Sequence, residues 1–138
     1  MSYELLDAGG DAAIRARAKT LEGVFEDAAL GFYALICPDS GSDGNKVVEV
    51  NVESHSLEGL MVGLLNELVY RYEVEGLVGR SVKMVRLTME PAALSAVIAG
   101  CEACPSDRIG LEVKAATYHG IMVERSGEGW LAEVMLDI

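Results

Sequence analysis

The sequence has few positive charges and few of the residues that enzymes use for proton transfer. Of its 138 residues, 11 are Lys or Arg, 22 are Asp or Glu and two are His, which gives a net charge of −11. A surface of that sign repels phosphate backbones, so direct, tight binding of nucleic acid is not expected. Phosphate-binding Gly-Lys-Ser/Thr loops, His-Glu-x-x-His pairs and Gly-x-Ser-x-Gly turns are missing. These absences favour a protein that is not an enzyme and that would serve nucleic-acid chemistry only through a protein partner.

Long apolar runs and a secretory leader are missing as well. Uncharged stretches such as Ala28–Pro38 are too short to cross a bilayer. The first residues, Met1–Asp7, contain neither a basic start nor an apolar signal core. We therefore expect a cytoplasmic protein that does not associate with membranes. A hydrophobic fraction of 51% supplies a core, and the length predicts a single domain over residues 1–138.

Cysteine is scarce, and the count is odd: Cys37, Cys101 and Cys104. In a cytoplasmic chain this argues against a disulfide framework. Cys101 and Cys104 have the spacing of a redox pair or of half a zinc site, but Pro105 follows them in a predicted loop, and a second pair of zinc ligands is not evident. We interpret the two as a chance pair in a turn, and any role for them stays open.

The hydrophobic pattern predicts strands, a helix, a strand, a helix and then a run of strands. Predicted strands cover Tyr3–Leu6, Ala12–Ala18, Val47–Glu53, Val78–Met89, Leu94–Cys101, Leu111–Glu124 and Trp130–Ile138, and predicted helices run from Thr20 to about Cys37 and from Ser56 to about Gly76. This order predicts an α+β fold, with two helices packed on one face of a mixed, mainly antiparallel β-sheet.

The last predicted strand ends on an acidic residue. Alternation places Val134, Leu136 and Ile138 on one face and Asp137 on the other. In an ordered strand the terminal carboxylate of Ile138 lies beside the Asp137 carboxylate, and the two repel unless a cation lies between them. A hard divalent ion with oxygen ligands is the simplest candidate. A Gly-rich turn could aim Asp11 at the same ion, although the turn is also typical of an ordinary surface loop.

A strand near the C-terminus carries further polar side chains. Alternation places Lys114 and Tyr118 on one side and His119 on the other. We predict that Tyr118 is a half-buried packing residue and that Lys114 extends its stem along the sheet. For His119 the sequence leaves three alternatives, namely a solvated turn residue, a hydrogen-bond donor supporting a ligand, or a contact with a partner.

The second predicted helix carries three polar residues beside its apolar stripe, namely Asn66, Glu67 and Arg71. Glu67 and Arg71 have the i, i+4 spacing of a solvated ion pair. Asn66 lies next to the apolar stripe and could anchor a loop. Both features are explained by structure without function.

Five ordered segments together resemble the archease family over the whole chain. They are Tyr3-Glu-Leu-Leu-Asp7-x-x-x-Asp11, Lys19–Leu30, Leu65-Asn-Glu-Leu-Val-Tyr70, Gly110-Leu-Glu-Val-Lys-Ala-Ala-Thr-Tyr-His119 and the terminal Asp137-Ile138. The stretch from Gly110 to His119 is the most specific. One departure is that the family turn reads Asp-His-Thr-Ala-Asp where this chain has Asp7-Ala-Gly-Gly-Asp11, which removes two side-chain donors.

The resemblance implies an α+β fold and an accessory, chaperone-like protein of the GTP-dependent RNA ligase of tRNA splicing. Such proteins promote guanylylation of the ligase and its multiple turnover. The resemblance also implies a divalent-metal site, for calcium in particular, at Asp11, Asp137 and the terminal carboxylate of Ile138. Asp7, Lys114 and His119 are candidate residues for contact with the partner.

Two alternatives stay open at the level of sequence. One is a divergent paralogue that acts as a metal-binding interaction module for a different partner. The other is a small metal-assisted hydrolase, in which the ion acts as a Lewis acid and His119 or Lys114 carries the proton.

Overall fold

The structure, a computed structural model, describes residues 2–8, 11–38, 44–104 and 109–138. In chain order the elements are β1 (Ser2–Ala8), β2 (Asp11–Ala18), α1 (Leu21–Ile36), β3 (Lys46–Ser54), α2 (Leu57–Glu75), β4 (Val78–Met89), β5 (Ala92–Cys101), β6 (Ala115–Ser126) and β7 (Gly129–Asp137).

The strands form two antiparallel sheets. Sheet 1 has the order β1-β2-β7-β6 and sheet 2 has the order β3-β5-β4, and every pairing in the described part of the chain is antiparallel. The predicted α+β class with two helices is confirmed. The strands divide between two sheets instead of one mixed sheet, because β7 pairs with β2 near the start of the chain and not with β5. Alternation shows which face of a strand is buried but not which strand lies beside it.

Helix α1 begins at a hydroxyl cap and ends at a proline. The side-chain oxygen of Thr20, where the sequence predicts that the helix begins, accepts a hydrogen bond from the Gly23 N–H at 3.0 Å. At the other end the Cys37 N–H donates to the Tyr33 carbonyl at 2.9 Å, and Pro38 lacks the N–H needed to continue.

Helix α2 also begins at a hydroxyl cap, but it ends at a glycine instead of a proline. Ser56 caps its start by accepting a hydrogen bond from the Gly59 N–H at 2.9 Å. Gly76 ends it with φ of 72°, a left-handed conformation that glycine adopts without a side-chain clash. The predicted ion pair is present on its surface, with Arg71 Nε 2.8 Å from Glu67 Oε2.

The helices join the two sheets through a common core. Helix α1 packs on β2 of sheet 1 and β4 of sheet 2, and α2 packs on β6 of sheet 1 and β3 of sheet 2. The largest fully buried side chains include Phe25, Phe32, Leu60, Leu64, Leu68, Leu94 and Ile98. Burying each of them stabilises the fold by roughly 1.5–3 kcal/mol before conformational entropy is counted.

Two predicted boundaries are wrong. Residues 111–114 are not a strand, because the N–H groups of Gly110 and Leu111 donate to the carbonyls of Ile36 and Leu35, at 2.8 and 2.9 Å, and so complete the end of α1. In addition, Ala92 and the residue after it are buried in β5, where a loop was expected.

The expectation against a disulfide is also wrong. Cys37 at the end of α1 and Cys104 are bonded, with their Cα atoms 6.0 Å apart, and Cys101 is the free thiol. Cys101 and Cys104 are therefore not a functional pair. The partners are 67 residues apart in sequence, so only the fold brings them together.

In the part of the chain that the structure describes, neither helix combines the length and the apolar character needed to cross a membrane.

Candidate functional site

The acidic residues at the two ends of the chain lie on neighbouring strands of sheet 1. Strand β2 begins at Asp11 and β7 ends at Asp137, and the pairing of Ala12 with Leu136 makes the two aspartates the next position along both strands. Both side chains are exposed. Like charges at facing positions, with Cβ atoms typically about 5 Å apart, destabilise a sheet. A cation between the two carboxylates would offset this repulsion.

A small cavity opens beside this acidic pair. Its volume is about 170 Å³, and its lining includes Asp11, Asp137, Thr117, His119 and Met135. The Thr117 hydroxyl donates to the Met135 carbonyl at 3.3 Å, which leaves the oxygen able to accept a further hydrogen bond. The cavity thus combines two carboxylates, a hydroxyl and an imidazole.

A larger and mostly apolar cavity is also lined by Asp11. It has a volume of about 350 Å³ and is lined by the apolar side chains Leu5, Leu6, Leu35 and Leu111 together with Asp7, Asp11 and Ile138. Asp11 borders both cavities, and Ile138 is half-buried and packs against the core. The structure therefore brings Asp7, Asp11, Asp137 and Ile138 to the same end of sheet 1.

Strand β6 is fixed beside the acidic pair by two sets of hydrogen bonds. The Asn66 side chain on α2 donates to the Ala116 carbonyl at 3.2 Å and accepts from the Ala116 N–H at 2.8 Å. The Lys114 N–H donates to the Asp137 carbonyl at 2.8 Å, and the Lys114 side chain is exposed. The predicted anchoring role of Asn66 is thus present, acting on a strand instead of a loop.

An irregularity in β6 explains where His119 lies. The register against β7 shifts between Thr117 and Met122, and Gly120 has φ of 66°. Such irregularities bend a strand and re-aim its side chains. His119 is exposed and borders the small cavity. Tyr118 is 63% exposed, so the prediction that it packs half-buried is wrong, because the simple alternation ends at the shift.

The oxygen ligands at this end are of the type that a hard divalent cation binds. The side chains that supply them are too few to hold the ion by themselves. The carboxylates of Asp11 and Asp137 are oxygen donors of the kind that calcium prefers, and Ile138 lies at the same end of sheet 1. Among the residues with described placement, however, no three His, Cys, Asp or Glu side chains are grouped closely enough to hold a metal ion. The turn residues Gly9 and Gly10 lie outside the described residues. A cation here therefore needs oxygens beyond the two aspartates.

Sequence reasoning did not identify the apolar walls of the site. Leu35 and Leu111 both line the apolar cavity because the end of α1 accepts hydrogen bonds from residues 110 and 111. That contact joins segments far apart in sequence, and no local pattern signals it. Thr117 could have been found, since it shares a predicted strand face with His119.

Comparisons with known proteins agree on one family. The model of the archease protein family matches residues 3–138. The protein archease of Methanosarcina acetivorans is 34% identical over 139 residues, covering 99% of this chain and 95% of that protein.

Two solved structures share the fold. The solution structure of protein 1598 of Methanobacterium thermoautotrophicum has a TM-score of 0.85 and 25% identity, and the match covers 99% of this chain and 98% of the other. The crystal structure of a Thermotoga maritima protein, described as an archease and possible chaperone, has a TM-score of 0.61 at 17% identity, with coverage of 98% and 96%. The second likeness supports the fold alone. On the match over nearly its whole length, this chain belongs to the archease family.

Proposed function

We propose that this protein is an accessory, chaperone-like partner of the GTP-dependent RNA ligase of tRNA splicing. In this role it acts in the cytoplasm, promotes guanylylation of the ligase and its multiple turnover, and performs no chemistry of its own. It binds a calcium ion through Asp11, Asp137 and the terminal carboxylate of Ile138. Membership of the archease family supports the class of function.

The observation that best supports the metal site is the register of β2 against β7. This register places Asp11 beside Asp137, where the last strand, β7, pairs with β2 near the start of the chain. A bound calcium ion would neutralise the repulsion between these carboxylates. The chain's own residues do the positioning, since Asn66 holds β6 in place and β6 carries Thr117 to the cavity.

The partner surface on this proposal is the same end of sheet 1. The net charge of −11 favours a partner with a basic surface, because charge complementarity steers association and fixes orientation. Asp7 borders the apolar cavity, while Lys114 and His119 are exposed beside the acidic pair. These three residues are therefore the proposed contacts.

Ligase activation is the direct test of the partner. A purified GTP-dependent RNA ligase is assayed for formation of the guanylylated enzyme and for multiple turnover, with and without this protein. The wild type should raise both rates, and Asp11→Asn and Asp137→Asn should remove most of the increase. Glu49→Gln, which changes an exposed carboxylate on β3, is the matched control and should behave as the wild type.

Two results would contradict the proposed partner. One is a ligase whose rates are unchanged by the wild-type protein. The other is recovery of a different stable partner, and no ligase, when the tagged protein is isolated from a native lysate.

Calorimetry tests the role of the chain end separately. Appending two residues after Ile138 moves the terminal carboxylate away while leaving both aspartates in place. Calcium affinity should fall at least tenfold, which corresponds to about 1.4 kcal/mol, because the ion loses a charged oxygen ligand. An unchanged affinity would show that the terminal carboxylate is not a ligand. It would not contradict the assignment of the two aspartates.

A further inference from the structure

A cavity at the opposite end of sheet 1 from the acidic pair has a basic lining. Its volume is about 210 Å³, and its lining includes Ser2, Arg17, Lys19, Ser126 and Trp130. All four strands of sheet 1 contribute, because β1 and β7 begin at this end and β2 and β6 end there. We call it the basic cavity.

The two cations of the basic cavity are not neutralised by the fold. Arg17 and Lys19 are exposed and make no ion pair with any residue whose placement the structure describes. By contrast, Arg15, two residues earlier on β2, is 2.9 Å from Glu133. Glu128 in the adjoining hairpin is exposed and does not border the cavity. Positive charge thus dominates the cavity in a chain that is strongly acidic as a whole.

The acidic pair is too distant to cancel this charge. Strand β2 has eight residues, and at about 3.3 Å for each step its two ends are roughly 23 Å apart. Interactions between exposed charges are largely screened beyond about 8 Å at physiological ionic strength. The sign of the local charge, and not the net charge, therefore decides which ligand the basic cavity attracts.

We propose that the basic cavity binds a phosphate group, either as the free dianion or as the monoester of a nucleotide. The guanidinium of Arg17 offers a planar fork for two phosphate oxygens, and the ammonium of Lys19 adds a second charge. The hydroxyls of Ser2 and Ser126 supply neutral donors of the kind that complete phosphate sites. This site is independent of the proposed calcium ion and of the proposed ligase.

Trp130 provides a direct reporter, because it is the only tryptophan in the chain and lines the basic cavity. The Trp130 ring lies 5.6 Å from the Arg125 guanidinium. A bound phosphate that attracts nearby cations therefore changes the environment of the ring. Tryptophan fluorescence is followed during titration with inorganic phosphate, uridine monophosphate or acetate, at constant ionic strength maintained with sodium chloride. Calorimetry supplies the affinities.

The structure predicts a saturable change with phosphate and with uridine monophosphate, and at least tenfold weaker binding of acetate. The double variant Arg17→Gln/Lys19→Gln should weaken phosphate binding at least tenfold. The matched double variant Lys83→Gln/Arg86→Gln removes the same charge from exposed positions on β4 and should change the affinity less than threefold. Equal affinity for phosphate and the nucleotide would identify the phosphate alone as the ligand, and tighter binding of the nucleotide would identify the ester.

Three outcomes would overturn the site. They are a fluorescence change that does not saturate, an affinity for acetate equal to that for phosphate, and equal weakening by the two double variants. All the substituted side chains are exposed, so both double variants are expected to fold, and circular dichroism melting curves check this.

Discussion

The side chain of Asn66 pairs with both backbone groups of Ala116, so that one residue of α2 occupies the place of a neighbouring strand at the edge of sheet 1. The two hydrogen bonds measure 3.2 and 2.8 Å. Strand β6 lies at that edge, and without such a partner the N–H and C=O groups of Ala116 would be unpaired. Because Ala116 pairs with Leu136, next to Asp137, this contact sets the position of the candidate site.

Replacing Asn66 should therefore destabilise the fold and loosen the site. Asn66→Ala leaves a donor and an acceptor of the buried Ala116 unpaired, at about 1–3 kcal/mol for each group. Urea unfolding should show a loss of at least about 2 kcal/mol, and the Ala116 amide should exchange faster with solvent. Asn45→Ala, at an exposed position before β3, is the control and should stay within about 0.5 kcal/mol of the wild type. A loss as small as that of the control would contradict the anchoring role.

Without calcium, the Asp11→Asn variant should be more stable than the wild type. With calcium, it should be less stable than the wild type. Removing one of two facing like charges gains about 0.5 kcal/mol. Calcium at about 100 times its dissociation constant adds roughly 2.7 kcal/mol to a protein that binds it. Thermal melts in chelator and in calcium should thus reverse the order of the two proteins.

The control for this reversal is Glu49→Gln, which should follow the wild type in both conditions. If Asp11→Asn gains as much stability from calcium as the wild type does, Asp11 is not a ligand. A variant that is less stable than the wild type in chelator would show that the carboxylates do not repel each other.

Reducing the disulfide between Cys37 and Cys104 should lower stability substantially. The bond closes a loop between residues 67 positions apart, and the chain-entropy model gives such a crosslink about 4 kcal/mol. Unfolding in guanidinium with and without a reductant measures the loss, and Cys37→Ser should reproduce it under oxidising conditions. Cys101→Ser leaves the bond intact and should change stability by less than about 1 kcal/mol. Equal stability of the oxidised and reduced proteins would contradict this prediction.

Asp27 should make stability depend on pH in a direction opposite to that of a salt-bridged carboxylate. The side chain is 4% exposed, and its Oδ2 atom has no partner among the described residues. Burial raises the pKa of the Asp27 carboxyl above its ordinary value of 3.8; the nearby Glu26 carboxylate adds to the increase, and a backbone hydrogen bond from Ser2 opposes it.

The folded state consequently holds the Asp27 proton more tightly than the unfolded state does. Its contribution to stability is complete below pH 3.8 and is lost as the pH rises through the raised pKa. Asp27→Asn cannot ionise, so its stability relative to the wild type should increase across that window in urea unfolding between pH 4 and 8. Glu53→Gln, at an exposed position, should show no such increase. A difference that does not vary with pH would contradict the prediction.

Interactions between residues close in sequence made much of this fold predictable from the sequence alone. The hydroxyl caps at Thr20 and Ser56, the glycine stop at Gly76 and the Glu67–Arg71 pair depend on neighbours within one turn of helix, and all four are present. The same holds for the alternation of β2 and β7, which states which side chains face the core. Net charge likewise needs only the composition.

Contacts between distant segments were decided by the tertiary structure. The division into two sheets, the disulfide from Cys37 to Cys104 and the meeting of Leu35 with Leu111 each join segments that no short pattern connects. The basic cavity belongs to the same class, because Arg17 and Trp130 are brought together only by the pairing of β2 with β7. Alternation and capping specify what one segment prefers, whereas the choice of partner depends on how all segments together bury their apolar faces, and that is a property of the whole chain.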